Sequence, residues 1–258
     1  MSSRLPAITL NTFREAVRDR VLYNLIFFVL LLVASAPLFS QISIGLEKLI
    51  LVNVGLSSIS LFGAIIAILI GIGLVSKEIE KKTLYTILSR PVRRWEFIVG
   101  KYFGLLLTLV VNTAFMTLGL YVALLITDRG LHGADALLLA AIYCIVLQFM
   151  MMVALTLLFS SFSTPIFSAI FAFALFIIGT FAEDLKNFAA MAHGITRWFS
   201  TGVAYLVPNF ATLNIISQAA HEQPVSASLI VFNTLYAVLY SGAVTAAAVL
   251  IFERRNLK

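Results

Sequence analysis

The three histidines are the side chains of this sequence best suited to binding a metal ion. They are His132, His193 and His221. A zinc site needs two or more of them to converge, together with a carboxylate such as Asp135 or Asp184. Nothing in their spacing requires such convergence. We therefore predict solvated loop histidines, with no metal site and no bound cofactor.

The sequence also contains no motif that would hold a nucleophile, a catalytic metal or a nucleotide. HExxH, GxSxG and CxxC are absent, and the single cysteine, Cys144, lies in an apolar run. A phosphate-binding GxxxxGK[ST] loop is absent as well, since the only Gly-Lys pair, Gly100-Lys101, is followed by Tyr102. We expect no enzyme activity in this chain. Any work it does would be driven by another chain.

Six apolar runs must position whatever functional residues there are. The composition is 61% hydrophobic and 12% charged, whereas soluble domains have about 25% charged residues. The runs are residues 21–39, 54–75, 102–126, 136–159, 165–182 and 229–252. Each is long enough, as a helix, to cross a hydrocarbon core of ~30 Å. The sequence predicts an all-α membrane protein with six transmembrane helices, of which the first stays as an anchor.

The polar residues inside these runs carry no formal charge. They include Asn24, Asn112, Gln148 and Asn233. An ion-coupled transporter usually places an acidic or basic side chain within the bilayer to bind its coupling ion. Hydrogen bonding between helices is the more common role of such amides, and it is the role we expect here.

The loop charges predict the orientation of the chain. Fourteen of the 18 Lys and Arg residues fall in 1–20, 76–101 and 253–258. The positive-inside rule therefore places both termini and 76–101 in the cytoplasm. The net charge of +6 follows from this topology, so nucleic-acid binding is not expected. Anionic lipids are the expected contacts of these basic segments.

Two segments outside the runs have helical apolar stripes. Residues 1–20 predict an amphipathic helix lying on the inner membrane face; its stripe is Leu5, Ile8, Thr12, Phe13, Ala16 and Val17. The outer segment 183–228 has a second stripe, from Phe188 to Leu206, that should end near Pro208. That stripe suits either an interfacial helix or a packed helix of a small outer subdomain.

The segment 76–101 is long, basic and predicted to be cytoplasmic. Its sequence predicts a helix from Ser76 that ends before Pro91, followed by a second helix that re-enters the membrane. Two roles fit this pattern: a compact feature that projects from the inner face, or a basic loop that contacts anionic lipid.

The same segment resembles a known family. Glu-x-Glu, Leu-x-x-x-Leu, Ser-Arg-Pro-Val-x-Arg and Glu-Phe-x-x-Gly-Lys-Tyr-x-Gly follow one another through residues 78–104. These motifs resemble the loop between spans two and three of type II ATP-binding-cassette exporter permeases. The amphipathic start, the short loop 160–164, Val207-Pro208-Asn209-Phe210 and the Phe252-Glu253-Arg254-Arg255 ending fit too. Within the family the chain looks most similar to stand-alone permeases, including the one that serves nitrous-oxide-reductase maturation.

The resemblance implies a single permease domain over residues 1–258 that works as a homodimer with two copies of a separate ATPase. It implies that a coupling helix docks on the ATPase through Glu78, Glu80, Thr83, Leu84, Ile87, Leu88, Ser89, Arg90 and Pro91. A second cytoplasmic contact would involve Ser161, Ser163 and Thr164. The expected location is the plasma membrane, in bacteria the inner membrane. The alternative function is a membrane scaffold or assembly factor without transport activity.

Overall fold

The computed structural model describes residues 4–18, 27–28, 31, 35, 46–80, 93–128, 136–191, 198, 202 and 207–254. The helices in these ranges are α1 (Arg4–Ala16), α2 (Glu47–Glu80), α3 (Arg94–Asp128), α4 (Ala136–Phe162), α5 (Pro165–Thr180), α6 (Ala182–Met191), α7 (Ile216–Ala220) and α8 (Ala227–Arg254), with a 3-10 turn at Ala211–Leu213. None of the described residues lies in a strand. The all-α prediction is confirmed.

Four of these helices are long and apolar enough to cross a membrane. They are α2 over Glu47–Gly73, α3 over Arg94–Thr127, α4 and α8. The α5–α6 pair would make a fifth span, bent by 62° at the break between Thr180 and Ala182. The predicted first span, residues 21–39, lies almost wholly outside the described residues, so six spans stay a prediction. Phe28 of that run is helical and contacts Phe62 of α2, with ring centroids 5.7 Å apart.

Helix α4 is the centre of the bundle. It packs against α2, α3, α5 and α8, and every side chain from Met151 to Leu157 is buried. Burial on all sides suits a helix that is apolar around its whole circumference. The surrounding helices carry their charged residues towards their ends.

The small residues of α2 allow the close packing around α4. A side chain on Gly63 would collide with the ring of Phe149, and one on Gly71 would lie 2.7 Å from Thr156 Cγ2. Gly55 lies against Leu120 of α3, and Ala67 is fully buried. A face of small residues such as Gly55, Gly63, Ala67 and Gly71 is a candidate contact for the predicted homodimer, because it lets two helices approach closely. It does not serve as that contact, since α3 and α4 of the same chain already cover it.

The helices alternate in direction, which defines two ends of the bundle. At the end we call the Lys48 end, α2, α4 and α8 begin and α3 and α5 finish. At the other, the Arg94 end, α3 begins and α8 finishes, since Arg94 contacts Glu253. Helix α1 also lies at the Arg94 end, where Ile8 contacts Gly100. The N-terminal helix and the end of α8 are therefore on the same side of the bundle.

The outer segment is described only in part. Helix α6 covers Ala182–Met191, and of residues 192–206 only Trp198 and Gly202 are described, both as helix. The predicted stripe to Leu206 therefore stays a prediction. Within that stripe, Phe188, Met191 and Trp198 are exposed, and most of residues 192–206 lie outside the described residues. Pro208 is buried, and the residues directly before Val207 lie outside the described ranges, so the predicted helix end near Pro208 stays a prediction.

Candidate functional site

Helix α3 begins at Arg94 because its first turn is capped. The backbone N–H of Arg93 donates to Glu96 Oε2 at 3.0 Å. A Glu at the third helical position that reaches back to the N-cap residue is one half of a capping box. Glu96 is buried, and its carboxylate also lies near the positive end of the helix dipole. This cap fixes where the connection after α2 ends.

The start of α3 is joined to the end of α8. Arg94 Nη1 donates to the carbonyl oxygens of Glu253, at 2.8 Å, and Phe252, at 3.4 Å. The Phe97 and Phe252 rings stack with centroids 5.7 Å apart. The last carbonyl groups of a helix have no hydrogen-bond partner within that helix, so a guanidinium group there satisfies them. Its positive charge is also stabilised by the negative end of the helix dipole. The two helix ends are thus held as one unit.

Helix α1 docks on α3 through two glycines. A side chain on Gly100 would lie 2.6 Å from Ile8 Cγ2, and one on Gly104 would lie 2.8 Å from the carbonyl oxygen of Thr9. Thr12 and Ala16 are buried on the same face of α1. The apolar stripe of α1, predicted to lie on the membrane, therefore packs largely against protein. The Gly-x-x-x-Gly spacing at 100 and 104 was the available signal, since it lets two helix backbones approach closely.

Lys101 lies between these contacts. Its side chain is only 2% exposed, and its ammonium lies 5.0 Å from the centroid of the Phe97 ring. A cation over an aromatic face gains electrostatic attraction that grows as water is excluded. In the sequence Lys101 belongs to the Glu-Phe-x-x-Gly-Lys-Tyr-x-Gly motif, but nothing in its spacing predicted burial. With Arg94 and Glu96, it makes the Arg94 end a charged and well-packed assembly.

The predicted coupling residues lie beside this assembly or outside the described residues. Glu78 and Glu80 continue α2 without a break, so no separate helix begins near Ser76 and that boundary was wrong. Residues 81–92, which include Thr83, Leu84, Ile87, Leu88, Ser89, Arg90 and Pro91, lie outside the described residues. Helix α2 is ~51 Å long at 1.5 Å per residue, so its last turns extend beyond a ~30 Å hydrocarbon core. The connection to α3 therefore emerges at the Arg94 end.

The predicted second contact lies in the turn between α4 and α5, at the same end. Ser161 is fully buried, and its hydroxyl donates to the Leu158 carbonyl oxygen at 2.6 Å. Thr164 is exposed and precedes Pro165, the first residue of α5. Ser163 is half-buried. Of the three residues, only Ser163 and Thr164 present surface to a partner.

The Lys48 end carries an ion pair, and its described residues form no cluster of metal ligands. Lys48 Nζ lies 2.9 Å from Glu222 Oε1, which joins the start of α2 to the turn after α7. His221 Nδ1 lies 2.8 Å from the Ser217 carbonyl oxygen. Among the described residues no group of three potential ligands comes together. His132 and His193 lie outside those residues.

A pocket of about 310 Å³ opens near the Lys48 end. It lies between α2, α4, α5 and the segment 207–216. Its lining residues are Ser57, Ser60, Leu61, Gln148, Phe176, Ile177, Thr180, Phe181, Phe210, Asn214 and Ile216. None of these side chains is charged. The pocket is therefore an uncharged space with apolar walls and a few hydrogen-bonding groups, the usual character of a small-molecule site.

The segment 207–216 is held over this pocket by specific contacts. The Phe210 N–H donates to the Gly179 carbonyl oxygen at 3.0 Å, and a side chain at Gly179 would collide with Phe210 and Pro208. Asn209 N–H donates to the Tyr236 hydroxyl at 2.9 Å, and Asn233 Nδ2 donates to the Thr212 carbonyl oxygen at 2.9 Å. The wall formed by Phe210 and Asn214 is thus anchored to α5 and α8.

Gln148 is the most buried polar residue of the pocket. It is 5% exposed, and its Oε1 accepts a hydrogen bond from the Ser60 hydroxyl at 3.2 Å. This bond between α4 and α2 confirms the interhelical role expected for the residue. The sequence did not reveal that Gln148 also faces a cavity, because periodicity alone does not say which helices leave a gap.

Comparison with known families identifies one that covers most of the chain. The model of the family described as ABC-2 family transporter protein matches residues 7–257. No curated protein matches the chain. The family match covers α1 from Ala7 onwards, the Arg94 end, the pocket and α8.

Proposed function

Because the family match spans nearly the whole sequence, the chain belongs to the ABC-2 family of transporter proteins and is a permease component of an ABC transporter, and we propose that it is the membrane subunit of an exporter driven by a separate ATPase. Two copies would form the transport path. The proposed location is the plasma membrane, in bacteria the inner membrane, with the Arg94 end in the cytoplasm. The closer similarity to the nitrous-oxide-reductase maturation permease stays a prediction.

The observation that carries this proposal is the construction of the Arg94 end. The α3 start, the α8 end and α1 are joined there by the Arg94–Glu253, Phe97–Phe252 and Gly100–Ile8 contacts. The connection 81–92 leaves α2 and enters α3 at this unit. A partner that moves the connection would therefore move two long helices together with α1. Rigid helices that shift against a packed neighbour are a common way to transmit a conformational change.

Exposed apolar faces support the second copy. Helix α5 buries one stripe, Ser168, Ala172, Phe176 and Gly179. Its other side exposes Ile166, Phe167, Ile170, Phe171 and Phe173. Lipid or a second protomer would cover such a surface. Mass measurement in native-like lipid, with the ATPase bound and active, should show two permease copies, and finding only monomers would refute the homodimer.

The proposed ATPase contact is tested by introducing negative charge into the connection. In the helix predicted to end before Pro91, Leu84 and Leu88 share a face, because they are four residues apart. Leu84→Asp with Leu88→Asp should leave membrane insertion intact but abolish ATPase co-purification and transport. Each withdrawn leucine removes about 1.5–3 kcal/mol of apolar burial, and a buried unpaired carboxylate adds a further cost.

The matched control places the same two charges on the opposite helix face. Lys82→Asp with Thr86→Asp should keep the ATPase bound, since residues two apart lie about 200° apart around a helix. Loss of the ATPase from both double variants would indicate a general charge effect. Wild-type ATPase recovery with the leucine variant would refute the coupling assignment. A scaffold protein without transport activity would co-purify with no ATPase at all, whichever variant is used.

A further inference from the structure

We propose that the pocket between α2, α4, α5 and the segment 207–216 binds an uncharged amphiphile, and that Gln148 recognises a hydrogen-bond acceptor oxygen of that molecule. The proposal names a binding site and the chemical class of its ligand. Transport of this ligand as cargo would rest on the proposed exporter function, whereas its binding to the pocket does not depend on that function.

The lining excludes charged ligands. All of its polar side chains, namely Ser57, Ser60, Gln148, Thr180 and Asn214, are neutral. An ion that leaves water for this space would lose its hydration with no opposite charge to replace it. At the same end, Lys48 Nζ lies 2.9 Å from Glu222 Oε1, so the two charges neutralise each other. Neither residue lines the pocket. A neutral ligand is the class that fits.

Gln148 supplies the hydrogen bond that such a ligand needs. The Ser60 hydroxyl donates to its Oε1 at 3.2 Å, so the N–H groups of its Nε2 are the donors that Gln148 can offer to a ligand. The residue is only 5% exposed and lines the pocket. A hydrogen bond to a donor is worth most where apolar walls exclude water. A carbonyl, ether or hydroxyl oxygen in the pocket could accept from this amide.

Two aromatic side chains would hold the apolar part of the ligand. Phe176 and Phe210 are 8% and 2% exposed, and their ring centroids lie 6.2 Å apart. Their burial leaves little freedom to be lost when a ligand packs against them. A volume of about 310 Å³ lies at the lower end of small-molecule sites, which suits a molecule with one or two rings.

The mouth of the pocket indicates the route of entry. Leu61, Ile177 and Phe181 line the pocket and are 46%, 44% and 58% exposed. An opening bordered by exposed apolar side chains on spanning helices adjoins the membrane interior rather than water. An amphiphile dissolved in the bilayer could therefore reach Gln148 without crossing a charged surface.

Benzophenone is a suitable probe because it is neutral, has two rings and one carbonyl acceptor, and labels nearby C–H bonds when irradiated. The full chain in lipid nanodiscs, without any ATPase, would be irradiated with benzophenone and its peptides analysed by mass spectrometry. We expect saturable labelling of peptides that contain Phe176 and Phe210. The anionic analogue 4-benzoylbenzoate should label them about tenfold less at the same concentration in the bilayer.

Substitution tests the role of Gln148. Gln148→Leu keeps the approximate volume but removes the donor, and should weaken benzophenone binding about tenfold, the weight of one net hydrogen bond. Asn112→Leu is the matched control, since it removes a buried amide of α3 that does not line the pocket. Its labelling should equal that of the wild type.

A second variant covers the case in which Gln148→Leu does not fold. Ser57 is exposed at the pocket, so Ser57→Phe should block the space without disturbing the core and should abolish labelling. Equal labelling by the neutral and anionic probes would overturn the proposal. Wild-type labelling of a folded Gln148→Leu or Ser57→Phe variant would overturn it as well. Because no ATPase is present, these results are independent of the coupling test and separate a failed pocket from a failed exporter.

Discussion

The Arg94 guanidinium closes the last turn of α8 by donating to the Glu253 carbonyl oxygen at 2.8 Å. The two residues are 159 positions apart in the sequence. The contact joins the first turn of the helix that follows the proposed coupling connection to the last turn of the chain's final described helix.

Removing the Arg94 side chain should loosen the end of α8. In Arg94→Ala the carbonyl oxygens of Phe252 and Glu253 lose a charge-assisted partner. The expected loss is about 1 kcal/mol, since the contact is partly exposed and screened by solvent. Hydrogen exchange of amides in residues 249–254 should rise. Arg93→Ala is the control, because the Arg93 side chain is exposed and only its backbone N–H contacts Glu96; equal exchange in the two variants would contradict the prediction.

Enlarging Gly104 should displace α1 from α3. A side chain there would meet Thr12 and the Thr9 carbonyl oxygen, and overpacking of this kind costs about 1–3 kcal/mol. The readout is a single cysteine at Thr12, which is 2% exposed, in a Cys144→Ala background. The cysteine should be unreactive alone and become reactive towards a thiol reagent when Gly104→Val is added.

Gly242 provides the control for that experiment. A side chain at this position of α8 would meet nothing within 4 Å. Gly242→Val should therefore leave the Thr12→Cys thiol protected. Protection that persists in the Gly104→Val variant would mean that α1 does not depend on the glycine pair.

Adding a methyl group at Gly63 should destabilise the chain itself rather than a contact between two copies. The new group would collide with the Phe149 ring, at a cost of about 1–3 kcal/mol. Phe149→Leu should relieve part of the collision, so the effects of the two substitutions should not add. Thermal unfolding of the four variants in one detergent measures this coupling. A Gly63→Ala variant that unfolds like the wild type but loses a partner copy would restore the discarded dimer face.

The orientation predicted by the loop charges can be tested with two exposed positions at opposite ends of the bundle. In a Cys144→Ala background, Lys186→Cys should react with a membrane-impermeant thiol reagent in intact cells. Arg93→Cys should react only after the membrane is permeabilised. Both side chains are exposed. Absence of labelling at either position would therefore show on which side of the membrane it lies, and could not be explained by burial. Labelling of Arg93→Cys with silence at Lys186→Cys would invert the proposed topology.

The sequence by itself determined that the chain is helical and built for a membrane. Apolar runs of about 20 residues satisfy their own backbone hydrogen bonds as helices, and lipid leaves few other options. Helices α2, α3, α4 and α8 each contain one of these runs, and α5 contains a fifth except for its last two residues. The position of the charges also separated the Arg94 end from the Lys48 end, because charged side chains are confined to the ends of spans.

Only the tertiary structure decided which faces meet. Gly63 and Gly100 both permit close helix contact, but the residue type does not say whether the neighbour is α4, α1 or a second protomer. Next to the bend after α5, the Gly179 carbonyl oxygen accepts a hydrogen bond from the Phe210 N–H, 31 residues along the chain, and no local pattern contains this contact. From the sequence, Gln148 is predicted to be an ordinary interhelical amide, because the residue type does not say what surrounds it. Its pocket exists because four segments distant in sequence pack without filling the space between them, and packing of that kind is a property of the assembled helices rather than of any one of them.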